Sequence, residues 1–277
     1  MRLLKQILDF YLNTSIHVAL SVLSLTWITL IEFNLIFDKN ILFFVFFATI
    51  TGYNFVKYYG IAKWHHRRLT RWLKVIQIFS LLCFLSLCFY VFQLPVKTVA
   101  TIALAGMITF LYAIPFLPKN MYLDSNKNLR DISGLKVYVI ALVWAVVTVL
   151  LPVINDEFDL NTDVWITFIQ RFILVIVLML PFEIRDLQYD DLKLSTIPQK
   201  IGVKQTKICG MILLLVFFFL EFFKDEIKPF QIVSLLIITF TTMSLLLFVR
   251  KNQGKYYSAF WVEGIPVLWL LLVLFFN

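Results

Sequence analysis

Apolar runs dominate this chain, and they recur at intervals set by short polar breaks. A helix crossing the hydrocarbon core of a bilayer takes roughly 20 apolar residues, and about nine segments reach that length. They are 15–37, 41–62, 72–94, 97–116, 134–154, 163–185, 205–223, 229–249 and 258–276. The breaks are short, so spans adjacent in sequence are expected to be antiparallel neighbours in space. The pattern predicts an all-α, polytopic membrane bundle forming a single domain over 1–277. The opening stretch "MRLLKQILDFYLNTS" lacks a small-residue cleavage site behind an apolar core. Residues 1–14 are therefore expected to form a short amphipathic helix at the membrane interface rather than a cleaved signal.

Composition sharpens this reading. The chain is 61% hydrophobic and 15% charged, with a mean hydropathy of +0.86. A soluble domain is about half apolar and a quarter charged, so a soluble class is excluded. Cys83, Cys88 and Cys209 all lie in apolar runs and read as small buried hydrophobes, not as disulfides or metal ligands. The net charge of +8 raises the question of a nucleic-acid partner, and its distribution answers it. With the N-terminus inside, 20 of the 25 Lys and Arg residues fall in inner segments and four in outer ones, while Arg171 lies within a span. That bias is the positive-inside signature of cytoplasmic loops, and no nucleic acid is needed to explain it. The N-terminus is expected to be cytoplasmic and the C-terminus to lie on the opposite side, as in a bacterial inner membrane.

One stretch breaks the apolar pattern. In "FEIRDLQYDDLKLSTIPQKIG" the residues Glu183, Asp186, Asp190 and Asp191 arrive at the end of the sixth span. Residues three and four apart share a helix face, so Glu183, Asp186 and Asp190 stack on one stripe. Like charges at that spacing repel, and the stripe calls for compensation by a metal ion, by Arg or Lys, or by water. Hard oxygen donors at the mouth of a bundle suit Mg²⁺, which keeps several waters and is completed by substrate phosphates.

These residues carry a resemblance. "IRDLQYDDLKLSTIPQKIG" resembles the second aspartate-rich motif of the UbiA superfamily of intramembrane prenyltransferases, roughly D-x-x-x-D followed by T-x-P-x-x-x-G. Asp186 and Asp190 match its aspartates, and Thr196, Pro198 and Gly202 match its tail. "LYAIPFLPK" resembles the family's Tyr-x-x-Pro signature, with Tyr112 at its head and Lys119 at its end. The resemblance implies a helical bundle around a lipid-accessible cavity with a cytoplasmic polar cap. It implies transfer of an isoprenyl group from its diphosphate to a lipophilic acceptor, with no protein partner specified. Asp186, Asp190 and Asn54 are then catalytic positions, and Asp186, Asp190 and Glu183 are ligands for Mg²⁺.

The chain departs from the family at the first aspartate-rich motif, about N-D-x-x-D-x-x-x-D, expected at the end of the second span. Here the sequence reads "YNFVKYYGIAK": Asn54 is in place, but Phe55, Tyr58 and Ala62 stand at the aspartate positions. Tyr58 thereby becomes a further candidate catalytic residue. A lysine beside a lost metal site offers positive charge without ligands. Lys57, Lys63, Lys119 and Arg130, with Tyr112, Arg185, Lys193 and Lys200, are the candidates to meet a diphosphate, alongside a single Mg²⁺. The departure also leaves open a repurposed member of the family that binds a lipid or quinone, or a terpene cyclase. Outside the motifs, Arg171 either acts within the membrane or snorkels to the outer surface. Glu263 either lines the cavity or pairs with a basic neighbour, and His17 reads as a packing residue. His65 and His66 lack the partners of a zinc site.

Overall fold

The chain makes its first sharp turn at Ser15, whose φ of 62° lies in the left-handed region. That conformation is uncommon for a residue with a Cβ, and a polar knot holds it. Ser15 Oγ donates to Asn54 Oδ1 at 2.9 Å, and Asn54 Nδ2 donates to Thr14 O at 3.1 Å. The turn separates α1 (Arg2–Asn13) from α2 (Ile16–Glu32), which lie bent by 60°. The stretch expected to form a short N-terminal helix is helical as α1. Its face carries exposed Leu4 and Ile7, while Phe10 packs edge-on against Trp72 and Phe79.

The structure is a computed structural model that describes residues 2–64, 71–113, 135–188 and 196–276, with side chains at 4–58, 72–109, 135–188 and 196–276. After α2 come α3 (Lys39–Trp64), α4 (Arg71–Val91) and α5 (Val96–Ala113). The next span starts as α6 (Leu135–Ala145), widens into a π turn (Val146–Leu150) and ends as α7 (Leu151–Asn155). Pro152 follows that turn, and a residue without an N–H favours such a break in the hydrogen-bond ladder. Then follow α8 (Thr162–Asp186), α9 (Ile197–Phe219) with a 3₁₀ turn (Leu220–Phe223), α10 (Pro229–Phe248), a π turn (Tyr257–Val262) and α11 (Ile265–Phe276).

Sequence neighbours pack against each other from α2 to α4 and from α5 to α11, and α11 closes back onto α2. The core runs along α2, α6, α8 and α11, where Leu25, Ala141, Leu174 and Ile184 are fully enclosed. By contrast, α4 leaves Ile78, Leu81, Leu82, Leu85 and Phe89 exposed, the composition of a lipid-facing helix.

Each of the nine expected segments falls on a helix among the described residues, but they are not equal. Seven are long and apolar enough to cross a membrane, and the bent α1–α2 pair makes an eighth. The fourth expected span falls on α5, whose residues described with side chains, Val96–Thr109, form an apolar helix. The span expected at 205–223 begins earlier, at Ile197, and is broken at Gly202, whose φ of 79° and ψ of 160° are not helical. The chain is an all-helical, multi-pass membrane protein.

Candidate functional site at the motif end of the bundle

The acidic stripe sits where α8 ends. Glu183 is 2% exposed and receives an ion pair from Lys136 Nζ at 3.3 Å. Asp186 is 23% exposed and accepts from Arg185 Nε at 2.8 Å. The compensation that like charges demand is supplied for these two by basic side chains. A buried carboxylate already facing an ammonium, as Glu183 does, is a poorer donor for a hydrated Mg²⁺ than one reached by solvent. Asp186, with solvent exposure at the helix end, remains a suitable oxygen donor. Among the described residues no three His, Cys, Asp or Glu side chains converge to hold a metal ion. Asp190 lies outside the described residues, as do Lys119, Arg130, Lys193 and the side chains of Lys63 and Tyr112.

Across from α8, the end of α3 does something the motif comparison did not foresee. Lys57 Nζ and Tyr58 Oη both donate to Asn13 O, at 3.1 and 2.9 Å. The last carbonyls of a helix lack partners within it, and these two side chains serve the end of α1. Asn54 is likewise committed: besides its bonds to Thr14 and Ser15, its Nδ2 donates to Ser80 Oγ at 2.8 Å. At 3% exposure it braces the α1–α2 corner. Lys200 is exposed on α9.

The last span completes the arrangement. Within the last span, Phe260 O accepts from Gly264 N–H at 3.0 Å, and His17 Nε2 also lies 2.9 Å from it. A carbonyl only accepts, so Nε2 carries the proton and Nδ1 accepts from Tyr11 Oη at 2.7 Å. His17 also stacks on Phe260, so it is a satisfied packing residue, as expected. Ser21 Oγ donates to Glu263 O, which fixes the backbone of the next residue type of interest. Glu263 is half-buried, and the cations whose fields act on its carboxylate are Lys57 and Arg185. Tyr11 lies in the field of Glu263. One end of the bundle therefore gathers Tyr11, Lys57, Lys136, Arg185, Asp186 and Glu263 from four helices and the turn before α11. Sequence spacing could not show that Glu263, far along the chain, meets the residues of α3 and α8.

A second polar cluster at the far end was not anticipated. Arg171 does not snorkel: it is 1% exposed, lies 4.8 Å over the Trp269 ring and donates to Thr29 Oγ1 at 3.4 Å. Beside it, Lys224 pairs with Glu32 and, at 2.7 Å, with Glu221. Thr167 Oγ1 donates to Glu32 at 2.8 Å and Gln170 Nε2 to Glu221 at 3.1 Å. Isolated acids in "IEFN" and "FLEFFKDE", at the ends of apolar spans, were the available signal.

A multi-pass helical bundle with an ionisable cup at one end defines a class of membrane protein. Its particular fold is that of the UbiA homologues. A solved UbiA homolog from Archaeoglobus fulgidus, bound to DMAPP and Mg²⁺, is similar with a TM-score of 0.62 and 14% identity, covering 97% of this chain and 98% of that one. The same protein bound to GPP and Mg²⁺ gives a TM-score of 0.59 at 10% identity, over 97% and 99% of the two chains. A structure of digeranylgeranylglyceryl phosphate synthase gives 0.56 at 13% identity, over 98% and 97%. No protein-family model matches the sequence, and no curated protein matches it.

Proposed function

We propose that the protein is an intramembrane prenyltransferase, which binds an isoprenyl diphosphate in the motif-end cup and transfers the prenyl group to a lipophilic acceptor. The observation that carries this reading is a linked set of charges at one end of a UbiA-like fold: half-buried Asp186 pairs with Arg185, and the charges of Lys57 and Arg185 act on Glu263. The UbiA homolog from Archaeoglobus fulgidus, which binds DMAPP or GPP together with Mg²⁺, supports it. The lysine and arginine excess on this end supports a cytoplasmic cup by the positive-inside rule.

In this scheme Lys57 and Arg185 meet the negative charge of the diphosphate. Asp186 and Asp190 would hold one Mg²⁺, which when bound supplies the positive charge that makes pyrophosphate a good leaving group. The bond from the prenyl carbon to the diphosphate oxygen breaks, and its electron pair leaves with the phosphate. The acceptor's nucleophilic atom bonds to the allylic carbon, and its proton passes to Glu263. Electrostatic stabilisation of the departing charge is the main work of such a site.

The test measures binding of geranylgeranyl diphosphate with and without Mg²⁺, and pyrophosphate release with acceptors, in wild type and two variants. Asp186→Ala is expected to lose Mg²⁺-dependent affinity by roughly 10-fold or more. Glu263→Gln is expected to bind the diphosphate almost as wild type yet transfer about 10²-fold more slowly. Equal binding without metal in all three proteins, and no pyrophosphate with any acceptor, would instead favour a lipid- or quinone-binding protein. The commitment of Tyr58, at an aspartate position of the first motif, and of its neighbour Lys57 to Asn13 is the observation on that second reading's side.

A further inference from the structure

The far-end cluster holds polar atoms that nothing satisfies. Arg171 Nε and Nη1, Glu221 Oε1 and Trp269 Nε1 are sealed from solvent and have no hydrogen-bond partner. Their residues, Arg171 and Glu221 at 1% exposure and Trp269 at 5%, line one small cavity together with Glu32, Thr167 and Lys224. The cavity offers about 10 Å³ to the centre of a water-sized molecule, which is room for about one water.

The chemistry of the lining selects the occupant. The indole and guanidinium N–H groups require an acceptor, and the carboxylate oxygen requires a donor. An ion can satisfy only one of these needs. The charges also balance without one, since Arg171 and Lys224 face Glu32 and Glu221, and an added ion would leave an uncompensated buried charge. An apolar cavity of this size stays dry, whereas one with two to four polar partners holds a water.

We propose that this cavity is a binding site for a single hydroxyl-bearing group of water size, a buried water, which accepts from Arg171 and donates to Glu221. It joins α8 to the end of α9 and, through Trp269 and the Glu32–Lys224 pair, to α11 and α2. Asp186 stands at the other end of α8, 15 residues from Arg171, or about 22 Å along the helix. The cavity is therefore separate from the cup and independent of the activity proposed there. The same O–H chemistry could come from the hydroxyl of a membrane lipid reaching in from the far side.

The decisive experiment is an experimental structure of the full chain in lipid nanodiscs, at a resolution that shows ordered waters. A round density within roughly 2.7–3.2 Å of an Arg171 nitrogen and Glu221 Oε1 is expected. An empty cavity, or Arg171 in direct contact with Glu221, would overturn the site. Density continuing as a tail into the bilayer would overturn the water in favour of a lipid hydroxyl. Glu221→Gln keeps an acceptor oxygen and should keep the density, while Glu221→Leu should lose it and lower Tm by roughly 5 °C or more. Should Glu221→Leu fail to fold, the wild-type density decides alone.

Discussion

At the residue scale, the tail of the acidic motif has a structural meaning that its spelling conceals. Thr196 is the N-cap of α9, and its N–H donates to Gln199 Oε1 at 2.9 Å. Pro198 enters within the first turn, where its missing N–H costs nothing. Gly202 then adopts φ 79° and ψ 160°, a region essentially reserved for glycine. Thr-x-Pro-x-x-x-Gly therefore starts a helix, lets it run briefly and breaks it beside the cup. Gly202→Ala has free space for its methyl group, so its cost is backbone strain alone, about 1–3 kcal/mol. Thermal unfolding in detergent should show this as a lower Tm. Gly52→Ala, also in open space but inside α3, should be neutral or slightly stabilising. Equal Tm values for the two variants would refute the strain account.

At the element scale, spans were readable because bilayer thickness fixes the length of an apolar helix. The breaks inside them were not. The π turn at Val146–Leu150 precedes Pro152, whereas the π turn at Tyr257–Val262 and the bend at Ser15 are bonded to other helices. His17 adds a bond to a carbonyl of the second π turn, and Asn54 braces the bend. Close approach between helices is also a property of elements. A Cβ on Gly210 of α9 would lie 2.5 Å from Leu246 Cδ2 of α10 and 2.8 Å from Leu180 Cδ1 of α8. Those are tips of flexible side chains, so Gly210→Ala should be mild. Gly210→Leu cannot be accommodated in that way, and overpacking of this kind costs about 1–3 kcal/mol. Comparing the urea or thermal unfolding midpoints of the two variants checks this; similar midpoints would mean that the three-helix crossing is loose.

At the scale of the whole molecule, charge is concentrated at the two ends and serves different ends of the bundle. At the far end, burial alone would lower the pKa of Lys224, but Glu32 and Glu221 outweigh it and raise the value above its usual 10.5. A raised pKa means that the folded state holds this proton more tightly than the unfolded chain does. Its contribution to stability is complete below pH 10.5 and is lost as pH climbs through the higher folded value. Wild-type Tm should therefore fall more steeply above that pH than Tm of Lys224→Met, which lacks the titrating group. Parallel pH profiles for the two proteins would contradict it.

The sequence by itself determined the class of molecule: hydropathy fixed the spans, basic residues marked one rim, and the spacing of Asp186 and Asp190 with the Thr196–Gly202 tail pointed to a UbiA-like scaffold. Only the tertiary structure decided who meets whom. It gave Glu183 to Lys136, Lys57 and Tyr58 to the end of α1, Glu263 to the cup and Arg171 to a buried cluster of four charges. The physical reason is that solvent and lipid act on each residue where it stands, so their demands are written locally in the chain. Ion pairs and hydrogen bonds across a bundle depend on which helices pack side by side, and that is settled only when all of them have been placed.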